Sequence, residues 1–276
     1  MNTARVMVVV AAGLALLAGP AAADWDEGDF HKMHFPQLPD LDKTGVDVDT
    51  TWAVLADDFK CSQTGLITDI HIWGSFADDI LPVNGVDWMC FNFSIHADIP
   101  DPDGDGPLYS MPGELLWSTG FCGPQHGPDN GFTYRLYADG IEEWWYDPAT
   151  GLCYFPGDHE CYQYNFYINP EEAFEQQEGT IYWLDVQARA VCEDASFGWK
   201  SSLNHYNDDA VYWAQDPSSG QWRWFELRYP VDCSPEPHPY AGQSMDLAFV
   251  ITPEPGTLAL FAVAGMGLLR RREKRR

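Results

Sequence analysis

Basic side chains are scarce in this chain. Only 15 Lys and Arg stand against 42 Asp and Glu in 276 residues. Binding to nucleic acid relies on Lys and Arg neutralising phosphates, so a body this acidic excludes that class of partner. No CxxC pair or Cys/His spacing of the zinc type occurs, which argues against a structural zinc. No GxSxG, HExxH or Cys/His nucleophile arrangement is present, so no hydrolytic motif is written in the chain. No repeat with a period of about 20 to 50 residues stands out, which disfavours a propeller or solenoid. Segments of helical period are nearly absent too.

What is there begins with export. Arg5, the apolar run 6–18 and Ala21-Ala22-Ala23 form the three parts of a secretory signal, residues 1–23, so the mature chain is expected to start at Asp24. Between residues 24 and 252 the chain keeps 8 basic and 40 acidic side chains, a net charge of −32. Such a field suits cations and cationic polymers, and it also keeps an extracellular protein soluble. Disorder is not the reading of this acidity, because 12 Trp, 13 Tyr and 15 Phe provide ample surface to bury. All seven cysteines (Cys61, Cys90, Cys122, Cys153, Cys161, Cys192 and Cys233) lie in the exported part, where disulfides persist. Cys153 and Cys161 flank the turn-rich YFPGDHE and are the expected pair; an odd count leaves at least one thiol over.

Residues 24–48, with Pro36 and Pro39, read as an irregular acidic leader. Residues 49–252 read as one domain of short, period-two strands. In WMCFNFSIHAD, Met89, Phe91, Phe93, Ile95 and Ala97 share a face; in GTIYWLDVQARA, Tyr182, Leu184, Val186 and Ala188 do. SMDLAFVI repeats the pattern with Met245, Leu247, Phe249 and Ile251. The one helix expected is PEEAFEQQE, 170–178, opened by Pro170 and two glutamates. About ten strands and almost no helix imply an all-β, antiparallel sandwich of jelly-roll type.

Four constellations carry candidate chemistry. In DPDGDG, Asp101, Asp103 and Asp105 alternate as the first ligands of a calcium loop do, with Gly106 at the turn. Pro112 and Glu114 break the rest of that pattern, so a plain acidic turn competes; calcium is the one cofactor the sequence raises. Glu142, Glu143 and Asp185 flank aromatic strands, as the acids of a glycosidase would, but carboxylates are so abundant that proximity alone says little. His71, His96 and His205 each sit in or beside an aromatic strand, as metal ligands or as hydrogen-bonded sheet residues. Trp144 and Trp145, and likewise Trp222 and Trp224, either form platforms on which sugar rings stack or fill the core.

The chain ends in PEPGTLALFAVAGMGLLRRREKRR. The apolar run 257–269 is 13 residues, short of the roughly 20 that a spanning helix needs, and the basic cluster after it holds that end on the cytoplasmic side. Pro253-Glu254-Pro255, a short apolar span and terminal arginines resemble the PEP-CTERM sorting tail of Gram-negative bacteria. That resemblance implies transient insertion of residues 253–276 in the inner membrane, recognition of Pro253, Glu254 and Pro255 by an exosortase-type membrane enzyme, and release to the cell surface or exterior, often into a polysaccharide matrix. The segments ADDFKCSQTGLITDIHIWGSF, FSIHADIP, PGELLW, GTIYWLDV, FGWK and DLAFVITPEPG resemble an uncharacterised domain of exported planctomycete proteins; no active site comes with it. The expected function is therefore an exported binding or structural module, with extracellular polysaccharide as a candidate partner. A carbohydrate-active hydrolase and a calcium-dependent adhesive module are the rivals. Mass spectrometry of the exported form is expected to find a chain ending near Thr252, and recovery of Arg276 on it would defeat the sorting reading.

Overall fold

Alternating apolar and polar side chains, punctuated by Asp-Pro and Gly turns, build fifteen strands in the computed structural model, which describes residues 24–101, 109–123 and 131–252. They are β1 (Val46–Asp49), β2 (Val54–Lys60), β3 (Gly65–Ile67), β4 (Asp69–Phe76), β5 (Met89–Ile99), β6 (Met111–Cys122), β7 (Phe132–Asp147), β8 (Leu152–Tyr167), β9 (Phe174–Gln176), β10 (Ile181–Ala190), β11 (Phe197–Ser202), β12 (Val211–Gln215), β13 (Trp222–Glu226), β14 (Asp246–Leu247) and β15 (Phe249–Thr252). Among the described residues there is no α-helix, only a single 3-10 turn at Ala77–Asp79, and no helix long and apolar enough to cross a membrane.

One sheet runs β14-β11-β1-β7-β8-β4-β15 and a second runs β13-β12-β2-β10-β5-β6; β3 and β9 form a small ribbon. The two large sheets face each other across an aromatic core. Phe91 of β5 meets Tyr164 and Phe166 of β8 at 4.9 Å each and Phe197 of β11 at 5.6 Å; Phe93 meets Phe166 at 4.6 Å. Pairs of this kind add about 0.5–1.5 kcal/mol each beyond area burial. The faces expected from WMCFNFSIHAD and GTIYWLDVQARA supply this core, since Met89, Phe91, Phe93, Ile95, Tyr182, Leu184, Val186 and Ala188 are all buried in it.

The seven-stranded sheet does not stay open. β11 pairs with β4 as well as with β1, so β11, β1, β7, β8 and β4 close into a small five-stranded barrel. Within it β1 runs parallel to β7, which corrects the wholly antiparallel expectation. The all-β class holds, while these strand orders do not establish the jelly-roll topology.

Two local expectations, the helix and the disulfide, are corrected. Residues 170–178 form no helix: the Glu171 N–H is capped by the Asn169 side chain, the Glu172 N–H by the Asn169 carbonyl, and the chain then becomes β9. A two-turn helix has little to bury, whereas β9 pairs with β3, sets Phe174 edge-on to Tyr182 and buries Gln176. The leader 24–48 is irregular up to β1 yet packed, because Trp25, Met33, Val46 and Val48 are buried in the core. The disulfides are Cys90–Cys122 and Cys153–Cys233, not Cys153–Cys161. Cys90 and Cys122 are cross-strand partners on β5 and β6, and Cys153 faces the chain after β13. Cys161 remains a buried free thiol, as does Cys61, while Cys192 is free and exposed.

Non-reducing peptide mapping is expected to recover Cys90–Cys122 and Cys153–Cys233. Replacing Cys153 and Cys233 together by Ser should lower stability by about 2–5 kcal/mol in denaturant titration, because the bond closes a long loop. A Cys153–Cys161 peptide would overturn this pairing.

Candidate functional site

The six-stranded sheet has one face on the core and one turned away from it. Leu55, Phe59, Leu184 and Val186 point inward; Ala56, Trp183, Val211 and Trp224 form a separate apolar cluster on the opposite face, with Val54, Tyr109 and Met111 packed against it. The β12–β13 hairpin turns on Asp216, whose side chain accepts hydrogen bonds from the Ser218 and Ser219 N–H groups. That turn sets Trp213 opposite Trp224 and Gln215 opposite Trp222, so three indoles share the outward face. Trp213 and Trp222 are 36% and 59% exposed, and their rings lie 17° from parallel with centroids 6.4 Å apart. Trp224 is buried, edge-on to Trp213 at 5.1 Å, and its carbonyl accepts the Tyr109 hydroxyl at 2.7 Å.

Beside the indoles lies a polar track. On β5 and β10, Trp183 is opposite His96 and Asp185 opposite Ser94. His96 Nε2 is 2.8 Å from Asp185 Oδ2, and its Nδ1 is 3.1 Å from the Gly113 carbonyl. Both partners are acceptors, so both ring nitrogens must donate, which describes an imidazolium. Burial works against that charge, but the Asp185 carboxylate and the Gly113 carbonyl outweigh it and hold the pKa above the ordinary histidine value. Asp98 accepts from Trp183 Nε1 at 2.9 Å, and Asp58 accepts from Asn207. Burial first, then the nearness of other acids, pushes both carboxyls up.

A second polar cluster lies inside the barrel. Phe197 and Trp199 of β11 point to the aromatic core, so Gly198 and Lys200 point the other way. Lys200 is wholly buried and its ammonium donates to Asp47 of β1 and Glu143 of β7, with Asp158 of β8 at 3.9 Å. All four side chains are fully buried. The barrel is tight: a Cβ on Gly198 would stand 2.7 Å from Asp47 Cβ and 2.9 Å from the Trp145 ring. Burial alone would lower the Lys200 pKa, but Asp47, Asp158 and Glu143 more than reverse it. Burial pushes Glu143 up to about 8, against the pull of Lys200, and Asp158 is raised well above its usual value by burial and then by Asp47.

Residues 33–252 match the family described as Domain of unknown function (DUF7901), and residues 252–276 match the PEP-CTERM protein-sorting motif. The chain belongs to the DUF7901 family. No curated protein and no solved structure matches it. The DUF7901 match takes in all fifteen strands and stops where the sorting motif starts. That motif marks an exported, surface-directed protein processed by an exosortase-type membrane enzyme, and the two disulfides fit an extracellular location.

Within the DUF7901 domain the expected site residues separate. Trp144 and Trp145 form no platform: both are buried, Trp144 against Phe155 and His238, Trp145 against Gly157 and Gly198 of the barrel. As consecutive residues of β7 the two indoles point to opposite faces of the sheet, and both faces are covered there. Trp222 and Trp224 do share a face, with Trp213 as a member that the sequence reading did not single out. Its signal was present, since AVYWAQ and QWRWFELRY joined by a DPSSG turn predict facing aromatics. Glu142 is exposed and paired with Lys43, Glu143 lies in the barrel and Asp185 on the other sheet, so they form no dyad. His71 bonds Asn165 and His205 bonds Asp246, each apart from His96. Asp101 is partly buried, while Asp103, Asp105 and the sorting residues Pro253, Glu254 and Pro255 lie outside the described residues.

Because the folded pKa of His96 is raised, its pair with Asp185 stabilises the fold fully below the unfolded value of about 6.5 and ceases to do so as pH climbs through the folded value. NMR titration is expected to give a His96 midpoint above that reference, and Asp185→Asn should bring it down. A wild-type midpoint at or below the reference would refute the imidazolium.

Proposed function

We propose that this exported protein binds extracellular polysaccharide on the outward face of the six-stranded sheet. The observation that carries the reading is the pair of near-parallel, solvent-exposed indoles of Trp213 and Trp222, with Trp213 set edge-on to buried Trp224. Large exposed aromatics are costly to leave in water and rarely cluster without a ligand. Sugar rings present an apolar C–H face to such a surface, and their hydroxyls need acceptors, which the half-buried Asp98 offers beside Trp183. A net charge of −32 over residues 24–252 repels anionic chains, so neutral or amino-bearing glycans fit better than acidic ones. Sorting by the C-terminal tail, through the inner membrane of a Gram-negative-type envelope, would deliver the module to that matrix.

Affinity electrophoresis through gels cast with neutral, amino-bearing and acidic polysaccharides tests the reading. Retardation is expected in the first two, and Trp222→Ala or Trp213→Ala should each weaken it about tenfold, the equivalent of about 1.4 kcal/mol. Equal mobility of wild type and both variants in every gel would sink the proposal.

A further inference from the structure

Lys200 is one of only eight basic side chains in residues 24–252, and the fold places it where water cannot reach. It stands directly opposite Asp47 in the antiparallel β1–β11 pair, and both side chains enter the barrel interior. Glu143 reaches the same ammonium from β7, across β1. Asp47, Glu143 and Asp158 each bring a carboxylate oxygen within 4.8 Å of the others. Asp47 Oδ1 and Glu143 Oε1 accept no hydrogen bond. A metal ion is the first thing such a triad brings to mind, but the Lys200 ammonium already occupies the position that a cation would take. An amine, a carboxyl carbon and a third group able to carry protons, all dry and all touching, define a different chemistry.

We propose that Lys200 and Asp47 condense to an intramolecular isopeptide bond, with Glu143 as the proton carrier, so that β1 and β11 become covalently joined. Glu143 takes a proton from the Lys200 ammonium, and the freed Nζ attacks Asp47 Cγ. One Asp47 oxygen then leaves as water, carrying two of the three ammonium protons relayed through Glu143, while the third stays on the amide nitrogen. The N–C bond forms, one C–O bond breaks, Glu143 ends as it began, and nothing is oxidised or reduced. Asp158, close to Asp47 and with its carboxyl pushed well above the usual range by burial, is placed to donate to the oxygen on which charge develops.

Two physical terms drive the step. In water, condensation of an ammonium with a carboxylate is unfavourable because both ions are well hydrated. Inside the barrel that hydration has been stripped, and replacing a buried ion pair by a neutral amide removes the desolvation penalty of both ions. Fixed contact also replaces a bimolecular encounter, which raises the effective concentration of the reacting groups by many orders of magnitude. Burial that lifts Glu143 to about 8 lets it both accept and return a proton near neutral pH. A protein exported into an environment without repair gains from a link that reduction cannot undo, unlike its two disulfides.

Intact mass of the purified, folded full chain after reduction and denaturation decides the matter. The expected mass is lower than the sequence mass by one water, and digestion should release a branched peptide joining the segments around Asp47 and Lys200. A full mass from folded wild type would overturn the proposal and leave an ion cluster only. Loss of water without the branch, as in succinimide formation, or a branch from Lys200 to Glu143 or Asp158, would also overturn it. Lys200→Arg should restore the full mass. Glu143→Gln keeps both bonding partners, and the fraction cross-linked in its folded form, checked by near-UV circular dichroism, should fall more than tenfold; an unchanged fraction would remove Glu143 from the reaction.

Discussion

Lys200 must be paired wherever it is buried, and the pairing constrains the half of the molecule around it. An isolated ammonium out of water costs several kcal/mol even after relaxation. Its partners come from β1, β7 and β8, so three neighbouring strands of the barrel must be in register with β11 at once. A slip of one residue along β11 would exchange Lys200 with Trp199, placing the charge in the aromatic core and an indole in the space that Gly198 keeps narrow. The ion cluster thus fixes which face of each strand belongs to the barrel and which belongs to the sandwich. Whether it stays ionic or closes to an amide, its position dictates the registers.

The second sheet answers a different demand. Its inner face supplies Phe91, Phe93, Leu184 and Val186 to the shared core. Its outer face carries polar side chains such as Ser94, Asp185 and His96 beside an apolar group gathered around Trp224. Disulfides hold this arrangement from its margins. Cys90–Cys122 ties edge strand β6 to β5, and Cys153–Cys233 ties β8 to the chain beyond β13. Tying an edge strand also limits its exposure as a template for other chains. The aromatic patch on β12 and β13 is left free on the side away from that edge.

Much of this was legible locally. The period-two faces of β5 and β10 gave their core residues directly, because each strand is longer than its turns and its apolar set faces a single side. Period two alone puts Trp222 and Trp224 on one face of β13, while DPATG and DPSSG mark the turns of the β7–β8 and β12–β13 hairpins. The helix over 170–178 failed because propensity was weighed without the β3 edge that claims Phe174 and Gln176. The Cys153–Cys161 pair failed because nearness in sequence is a poor guide within one strand: both lie on β8, an extended strand that holds them apart. FGWK did carry a trace of the barrel, since a lysine alternating with aromatic residues must face away from their core, but nothing local says whether that other face meets water.

Sequence by itself determined the all-β class, the acidity of the body and the sorting tail, because each rests on composition or on a contiguous pattern. Tertiary structure decided everything that depends on which strand lies beside which. It closed five strands into a barrel, buried Trp144 and Trp145 while leaving Trp213 and Trp222 in the open, and separated Glu143 from Asp185. It also brought Lys200 to Asp47 across 153 residues of chain, a meeting that no local pattern encodes because it arises only when β1 and β11 pair side by side in the sheet.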